Sequence, residues 1–203
     1  MTNQDIFAHK SKSWDMKSRR VQNAKSIADS ILKNIKLTKD MHIMDFGAGT
    51  GLLSYFLSND VGKVTALDNS QSMLEVFREK AHMFNSPTEI LKLDLTQKNI
   101  PDNIYFDGIV SSMTMHHIQD IKDMLNKMYH MLPKGGFIAL ADLDKEDGTF
   151  HSDNIGVFHY GFDRNELKKI AQKVGFRDVQ FETVNTIKKP HREFSVFLMI
   201  AKK

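Results

Sequence analysis

The chain has 203 residues, of which 41% are hydrophobic and 26% charged, a composition typical of a globular protein with one domain and a buried core. It contains no Cys, which excludes disulfides, thiolate nucleophiles and zinc sites built from Cys. Its 28 basic and 25 acidic residues give a formal net charge of +3, and basic residues occur at most in pairs, so a nucleic-acid partner is not expected.

The N-terminus is polar and has no apolar signal segment, and no apolar run is long enough to span a bilayer. We therefore expect a cytoplasmic protein with no membrane partner. Residues 1–36 are interpreted as a polar arm followed by a helix, and the arm is a candidate lid. The sequence gives no indication of the oligomeric state.

Strands and helices alternate along most of the chain. Short apolar and β-branched runs predict the strands, and apolar residues at helical spacing predict the helices. Ser70 is placed to cap one helix, and Asp163 with Glu166 has the capping-box spacing at the start of another. The predicted strands are 41–46, 63–68, 88–95, 106–113, 137–143, 176–187 and 193–201, and the predicted helices are 21–35, 52–60, 70–84, 120–132 and 163–174.

This alternation indicates an α/β fold with a parallel sheet and helices on both faces. The last two strands are joined by a short turn around Pro190, so they pair antiparallel. We predict a single domain, residues 1–203, with a Rossmann-like, seven-stranded, mostly parallel sheet and an antiparallel C-terminal strand hairpin. Within it, residues 41–143 form a cofactor-binding core, and residues 144–162 lie outside the regular sheet as a candidate substrate segment.

The stretch MDFGAGTG, residues 44–51, places three glycines directly after the first strand, where open α/β sheets bind their ligands. A P-loop ends in Gly-Lys-Ser/Thr, but Leu52 follows Gly51 here, and no basic residue occurs from Asp45 to Leu57. The dinucleotide fingerprint G-x-G-x-x-G requires a glycine at position 52 as well. The acidic Asp45 disfavours a pyrophosphate and suits a ligand that carries a positive amino group and a sulfonium.

Acidic residues also end the next two strands. Asp68 lies about 21 residues beyond Gly47, close to where nucleoside-binding sheets place an acid against the ribose hydroxyls. Asp94 can accept a hydrogen bond from the exocyclic amine of adenine, while apolar neighbours such as Leu95 cover the ring. A single Asp in such a position is typical of a helix cap, but joint placement at successive strand ends favours a nucleoside site.

The motifs MDFGAGTG, ALDNS, LDL, FDGIVSSMTMHHI and LPKGGFIALADL resemble, in this order and spacing, those of class I S-adenosylmethionine-dependent methyltransferases. The chain is most similar to the small-molecule branch related to ubiquinone and menaquinone biosynthesis. The resemblance covers nearly the whole chain and implies transfer of a methyl group from S-adenosyl-L-methionine to a small-molecule acceptor by in-line displacement. It also implies a set of cofactor contacts at the strand ends. These are Asp45, Gly47, Ala48, Gly49 and Gly51 for the methionine part, Asp68 and Asn69 for the ribose, Asp94 and Leu95 for adenine, and Ser112 and Met113 for the methionine and sulfonium region.

Methyl transfer requires alignment of the acceptor with the methyl group, and a base only where the acceptor must lose a proton. His116 and His117 follow the fourth strand, and two further histidines lie within residues 144–162. In the resembled branch the second histidine of HHI often packs near the cofactor, so His117 is the first catalytic candidate. His151 and His159 are candidates on the acceptor side.

Two aromatic residues of the N-terminal arm, Phe7 and Trp14, are candidates for contacts with the acceptor. Both lie outside the regular sheet, where lids usually occur. The alternative for Trp14 is that its ring anchors the arm to the core.

Other functions fit the residues less well. The acidic residues 142–147 suggest a calcium loop, but the sixth position, which must be glycine, is Asp147, so no metal is expected. Enzymes that methylate nucleobases or amides carry Asn/Asp-Pro-Pro-aromatic where this chain has SSMT, and arsenic methylation requires thiolates. An NAD(P)-dependent oxidoreductase conflicts with the glycine spacing. A non-enzymatic S-adenosylmethionine- or nucleoside-binding module stays open, as does the choice between O-, N- and C-methylation.

Overall fold

The computed structural model describes residues 5, 8, 11–16, 18–98, 100, 104–190 and 192–203. Short 3-10 turns occur at Ser11–Ser13, Ala81–Met83 and Met115–His117. The helices are α1 (Ser18–Asn34), α2 (Leu52–Leu57), α3 (Gln71–Lys80), α4 (Ile121–His130) and α5 (Arg164–Val174). The strands are β1 (His42–Phe46), β2 (Lys63–Asp68), β3 (Thr88–Lys92), β4 (Gly108–Ser112), β5 (Phe137–Leu143), β6 (Arg177–Lys189) and β7 (Arg192–Lys202). None of the described helices has the length and apolar character needed to cross a membrane.

The strands belong to one seven-stranded sheet with the order β3-β2-β1-β4-β5-β7-β6. β2 pairs parallel with β1 and β3, and β4 pairs parallel with β5. β7 runs antiparallel to both β5 and β6. This confirms the predicted fold class, including the C-terminal hairpin. The chain divides into two compact units, Met1–Asp94 and Leu95–Lys203, and the prediction of a single domain stays a prediction.

The first unit contains the arm, α1 to α3 and the strands β1 to β3. α1 turns its apolar stripe inward, and Ala24, Ile27 and Ile31 are buried, as the helical spacing predicts. In the register of β1 and β2, Phe46 lies opposite Leu67, so both strands end at the same level. The turn after β1 therefore begins beside the acidic end of β2.

The second unit contains β4 to β7, α4 and α5. β5 is buried along its whole length, in agreement with its apolar sequence FIALADL. Ser112 lies opposite Ala141, so the segment after β4 begins beside the end of β5. α4 packs with Ile121, Leu125 and Met128 buried, which are three of the predicted apolar positions.

The helix caps follow the predicted residue types. The Ser70 side chain accepts a hydrogen bond from the Met73 N–H at the start of α3. The Asp163 side chain accepts hydrogen bonds from two backbone N–H groups at the start of α5, and Gly175 ends this helix with a φ of 121°.

Several elements are shorter than predicted, among them the third strand, which ends at Lys92, and α3, which ends at Lys80. The strand expected over 106–113 begins at Gly108 and ends at Ser112, because Met113 has a φ of 59°, which is incompatible with a strand. The helix expected over 52–60 ends at Leu57, and its buried side chains are Leu53, Ser54 and Leu57.

Candidate functional site

The turn after β1 is open at Gly49 and closely packed at Gly51. Gly47 and Ala48 begin it, and their N–H groups donate hydrogen bonds to one carbonyl oxygen of β2. Gly49 and Gly51 have φ values of 56° and 84°, in the region that favours glycine. A Cβ on Gly51 would lie 2.6 Å from ring carbons of Phe77, whereas a Cβ on Gly49 would meet nothing within 4 Å. The open side of the turn therefore offers backbone at Gly49 to a ligand.

Asp68, at the end of β2, is connected to this turn. Its Oδ2 accepts a hydrogen bond from the Gly49 N–H at 2.8 Å, and its Oδ1 accepts one from the Ser70 N–H at 2.8 Å. Burial raises the pKa of the Asp68 carboxyl group, the N–H groups of Ser70 and Gly49 oppose this, and the charge of Asp5 adds to the rise. Because a carboxylate has about four lone-pair positions, Asp68 can accept further hydrogen bonds from hydroxyl groups.

Asp45 is a buried carboxyl group within β1, 1% exposed. Its Oδ2 accepts a hydrogen bond from the Ser54 hydroxyl group on α2 at 2.6 Å. Burial raises the pKa of Asp45 to about 7, the hydrogen bonds from Ser54 lower it, and the charge of Asp68 raises it. Asp45 therefore exchanges its proton near neutral pH, and a nearby positive charge favours its ionised form.

Two acidic residues of the N-terminal arm contact the same part of the first unit. Asp15 accepts a hydrogen bond from the Thr50 hydroxyl group at 2.6 Å and forms an ion pair with Lys80. Asp5 accepts a hydrogen bond at 2.8 Å from the hydroxyl group of Ser70, the cap of α3. Sequence reasoning missed both residues, because isolated acids in a polar arm form no pattern.

The two aromatic candidates of the arm are Phe7 and Trp14. Phe7 lies outside the described residues. The guanidinium carbon of Arg20, on α1, lies 3.5 Å from the centroid of the Trp14 ring. This stacking favours the alternative in which Trp14 anchors the arm to α1, and its contact with an acceptor stays a prediction.

The other predicted cofactor contacts lie at strand ends of their own units. In the first unit, Asn69 is exposed directly after β2, and Asp94 is half-buried beyond the end of β3. In the second unit, Leu95 is buried, and Ser112 and Met113 are half-buried at the end of β4. The positive φ of Met113 is a strained conformation for a non-glycine residue, and such residues cluster at functional sites.

The second unit also pairs two residues that sequence reasoning did not connect, His116 and Asp142. Both are 1% exposed, and Nδ1 of His116 lies 2.8 Å from Oδ1 of Asp142. The backbone N–H of His116 donates a hydrogen bond to the other carboxylate oxygen at 3.1 Å. Burial raises the pKa of Asp142, but the interactions with His116 and the N–H of Leu143 outweigh it, so this pKa lies below its ordinary value. The position of the two residues near the ends of β4 and β5 was the available signal for this pair. Neighbouring parallel strands end at the same edge of the sheet, so residues at their ends can meet.

The second ring nitrogen of His116, Nε2, is buried and has no hydrogen-bond partner among the described residues. The ring centroids of His117 and His151 lie 4.2 and 4.9 Å from that of His116. Nε2 of His151 is likewise buried, with no partner in the described part of the chain. Burial lowers the pKa of His151 to about 4, with further contributions from the charges of His116, His117 and Lys189, so His151 is neutral at neutral pH.

His117 and His159 attach residues 144–162 to the segment after β4. Nδ1 of His117 lies 2.7 Å from the carbonyl oxygen of Gly156. Nε2 of His159 lies 2.9 Å from the carbonyl oxygen of Ile118. These two candidates therefore hold the predicted substrate segment in place, and their catalytic roles stay predictions.

The acidic residues 142–147 form contacts with basic side chains of the second unit. Arg164 donates two hydrogen bonds to the Asp144 carboxylate, at 2.7 and 2.6 Å. Asp147 forms an ion pair with Arg192. Over the described ranges, no group of three or more His, Asp or Glu residues is arranged to hold a metal ion.

Comparison with known proteins connects these features to one family. Residues 44–140 match the family model described as a methyltransferase domain. An uncharacterized methyltransferase of Schizosaccharomyces pombe is 36% identical over 135 residues, which cover 60% of this chain and 48% of the relative. A demethylmenaquinone methyltransferase of Listeria welshimeri is 30% identical over 117 residues, which cover 55% of this chain and 48% of the relative. The chain thus spans about half the length of these curated relatives.

A solved structure shows the same fold over nearly the whole chain. It is phosphoethanolamine N-methyltransferase 2 of Haemonchus contortus, in complex with phosphomonomethylethanolamine and S-adenosylhomocysteine. Its TM-score is 0.70 at 17% sequence identity, and the match covers 98% of this chain and 59% of that chain. Together with the glycine turn and the family match, this confirms the resemblance seen in the sequence motifs. Residues 44–140 therefore form a methyltransferase domain, in a chain whose motifs resemble those of class I S-adenosylmethionine-dependent methyltransferases.

Proposed function

We propose that this chain transfers a methyl group from S-adenosyl-L-methionine to a small-molecule acceptor. The observation that carries the proposal is the open backbone at Gly49, joined by a hydrogen bond to the Asp68 carboxylate. S-adenosylmethionine, when bound, supplies a methyl group whose leaving group is a neutral thioether. Orientation of the acceptor and exclusion of water are then the main tasks of the protein, and orientation of this kind contributes roughly 7–11 kcal/mol.

The chemistry of the first unit fits this cofactor. Asp68 accepts hydrogen bonds from the ribose hydroxyl groups, for which its carboxylate has free lone pairs. Asp45 provides a negative charge for the amino group of the methionine part, because a positive ligand favours ionisation of a carboxyl group whose pKa is about 7. Asp94 keeps its proposed contact with adenine. Gly49 has room for the ligand against its backbone.

The second unit supports an acceptor with an apolar part. Residues 144–162 carry three large apolar side chains in solvent, Ile155, Phe158 and Tyr160, which are 69%, 55% and 46% exposed. Such side chains bind apolar surface when a ligand covers them. Ser112 and Met113 keep their proposed contact with the methionine and sulfonium region. We propose a cytoplasmic location, because disulfides are rare in the cytoplasm and this chain has no Cys with which to form them.

Two measurements test the proposal. Isothermal titration should show binding of S-adenosylhomocysteine and no binding of NADH. A screen of metabolite extracts with a labelled methyl donor should then identify the acceptor. Binding of NADH in place of S-adenosylhomocysteine contradicts the proposal. Binding of S-adenosylhomocysteine without labelling of any compound supports the non-enzymatic binding module instead.

A further inference from the structure

The unpartnered nitrogen of His116 requires an explanation. Buried polar atoms in proteins are nearly always hydrogen-bonded, and the exceptions are often found at functional sites. His116 is 1% exposed, and within the described part of the chain its Nε2 atom has no hydrogen-bond partner, although Nδ1 is bound to Asp142. One nitrogen of this imidazole is thus held by the fold, and the other has no partner in the described part of the chain.

The contact with Asp142 determines which nitrogen carries the proton. An ionised carboxylate only accepts hydrogen bonds, so Nδ1 of a neutral His116 is the protonated nitrogen. Interaction with His116 keeps the pKa of Asp142 below its ordinary value despite burial, which supports the ionised form. Nε2 of His116 then has a free lone pair and can accept a proton.

Two other imidazole rings lie beside the ring of His116. The ring centroids of His117 and His151 are 4.2 and 4.9 Å from its centroid, and Lys189 contributes a positive charge close to His151. No hydrogen bond to a described residue holds Nε2 of His151.

We propose that Nε2 of His116 accepts the proton of a hydroxyl group on the methyl acceptor, with Asp142 as its positioning residue. This inference rests on the proposed function. As the acceptor oxygen forms its bond to the methyl carbon, the carbon–sulfur bond breaks, and sulfur keeps the electron pair as a neutral thioether. The hydroxyl proton moves to Nε2, and the resulting imidazolium is stabilised by the Asp142 carboxylate until it releases the proton to water.

The proposal narrows the class of acceptor. A positioned base removes a proton more readily from an acidic hydroxyl group than from a weakly acidic one. Phenolic and enolic hydroxyl groups are more acidic than those of aliphatic alcohols. We therefore expect O-methylation of a phenol or an enol.

A first experiment tests the protonation pattern without any acceptor. Nuclear magnetic resonance of the full chain labelled with 15N-histidine reports which ring nitrogen carries the proton, and the His116→Gln variant assigns the signal. At neutral pH we expect His116 to carry its proton on Nδ1, and Asp142→Asn to abolish this preference. A wild-type His116 with its proton on Nε2 overturns the proposal, because that nitrogen then has no lone pair to accept another.

A second experiment tests the proton transfer. Titration first establishes that wild type and His116→Gln bind S-adenosylhomocysteine equally. Labelled methyl transfer is then measured to a panel of phenols and to an aryl thiolate, which has no proton to lose. We expect His116→Gln to slow methylation of phenols by roughly 100-fold or more and to change that of the thiolate by at most a few-fold. His130→Gln, at an exposed position of α4, is the control and should leave both rates unchanged.

The outcomes separate this inference from the proposed function. Failure of the wild type to bind S-adenosylhomocysteine rejects the proposed function. Normal binding with equal losses on phenols and thiolate, or with no loss on either, rejects only the role of His116. The pH profile for phenols should lose its acidic limb in His116→Gln, which a purely structural role does not produce. If the wild type methylates none of these probes, the nuclear magnetic resonance experiment alone tests the role of His116.

Discussion

The two units each bury an aspartate in a strand, and the two carboxyl groups behave in opposite ways. Asp45 in β1 and Asp142 in β5 are both 1% exposed. Burial raises the pKa of Asp45 to about 7, because its hydrogen bonds from Ser54 only partly compensate for the lost hydration. Asp142 has a pKa below its ordinary value, because His116 and two backbone N–H groups outweigh burial. The partners of a buried carboxyl group, and not burial alone, determine whether it holds a proton.

The same contrast extends to the regions around the two aspartates. Around the glycine turn, the groups offered to a ligand are backbone atoms of one turn and acids at the ends of consecutive strands. Around the histidines, each contact joins residues from separate segments, namely the turn after β4, β5 and residues 144–162. Both regions depend on tertiary contacts, but only in the first does the spacing along the chain indicate which groups meet.

The largest expected effect tests the Asp142 side of the comparison. Asp142→Ala should lower the free energy of unfolding by about 3–5 kcal/mol, because it leaves the buried imidazole of His116 without its partner. Denaturant unfolding measures this loss, and Asp147→Ala at an exposed ion pair should cost much less. Equal losses in the two variants contradict a stabilising role for the buried pair. Because the pKa of Asp142 lies below its ordinary 3.8, this stabilisation is present above that pH and is lost as the pH falls through the folded-state pKa.

Asp45 should show the opposite dependence on pH. Its unfolded-state pKa is near 3.8 and its folded-state pKa is about 7, so stability is lost as the pH rises between these values. We expect wild type to lose roughly 2–4 kcal/mol relative to Asp45→Asn across this interval. Unfolding free energies of both proteins at several pH values provide the measurement, and parallel curves show that the pKa of Asp45 is not raised.

Two glycines of one turn should separate stability from binding. Gly51→Ala should cost about 2–3 kcal/mol of unfolding free energy, because the new methyl group overlaps Phe77 and the φ is positive. Gly49→Ala should cost only about 1 kcal/mol, for its positive φ, but should weaken binding of S-adenosylhomocysteine about tenfold or more by filling the open side of the turn. Chemical unfolding and titration calorimetry measure the two effects. Normal binding by Gly49→Ala shows that the ligand does not approach the turn there.

Asp68 should matter for the ligand as well as for the glycine turn that it holds. Asp68→Ala is expected to weaken binding of S-adenosylhomocysteine by about 1–3 kcal/mol, through loss of hydrogen bonds to the ribose. Titration calorimetry measures this change, and Asp40→Ala, at an exposed turn before β1, serves as the control. An affinity equal to that of the control argues against Asp68 as the ribose contact.

The smallest effect concerns the attachment of the arm. Asp15→Ala removes the hydrogen bond to Thr50 and the ion pair with Lys80, and should lower stability by about 0.5–1 kcal/mol. The matched control is Asp29→Ala, whose ion pair with Lys25 lies in solvent on α1 and contributes about 0.3–0.5 kcal/mol. Thermal unfolding of the two variants compares them. If they cannot be distinguished, the arm does not stabilise the turn through Asp15.

The residues that sequence reasoning identified share one property, which is that their spacing along the chain carries the signal. The glycine turn and Asp68 could be predicted because strands of known polarity place their ends at one edge of the sheet. Met113 was predicted from the family resemblance, whereas its positive φ required the structure. Asp5 and Asp15 could not be predicted, because nothing in an isolated acid specifies its partner.

By itself, the amino-acid sequence determined the order of the strands and helices, their apolar faces, the hairpin at the C-terminus and the place of the glycine turn. These features follow from residue type and periodicity within short windows. Only the tertiary structure decided which of the histidines is joined to a carboxylate, because His116 and Asp142 are 26 positions apart. Their contact depends on which strands become neighbours and in which register, and thus on the packing of the whole unit.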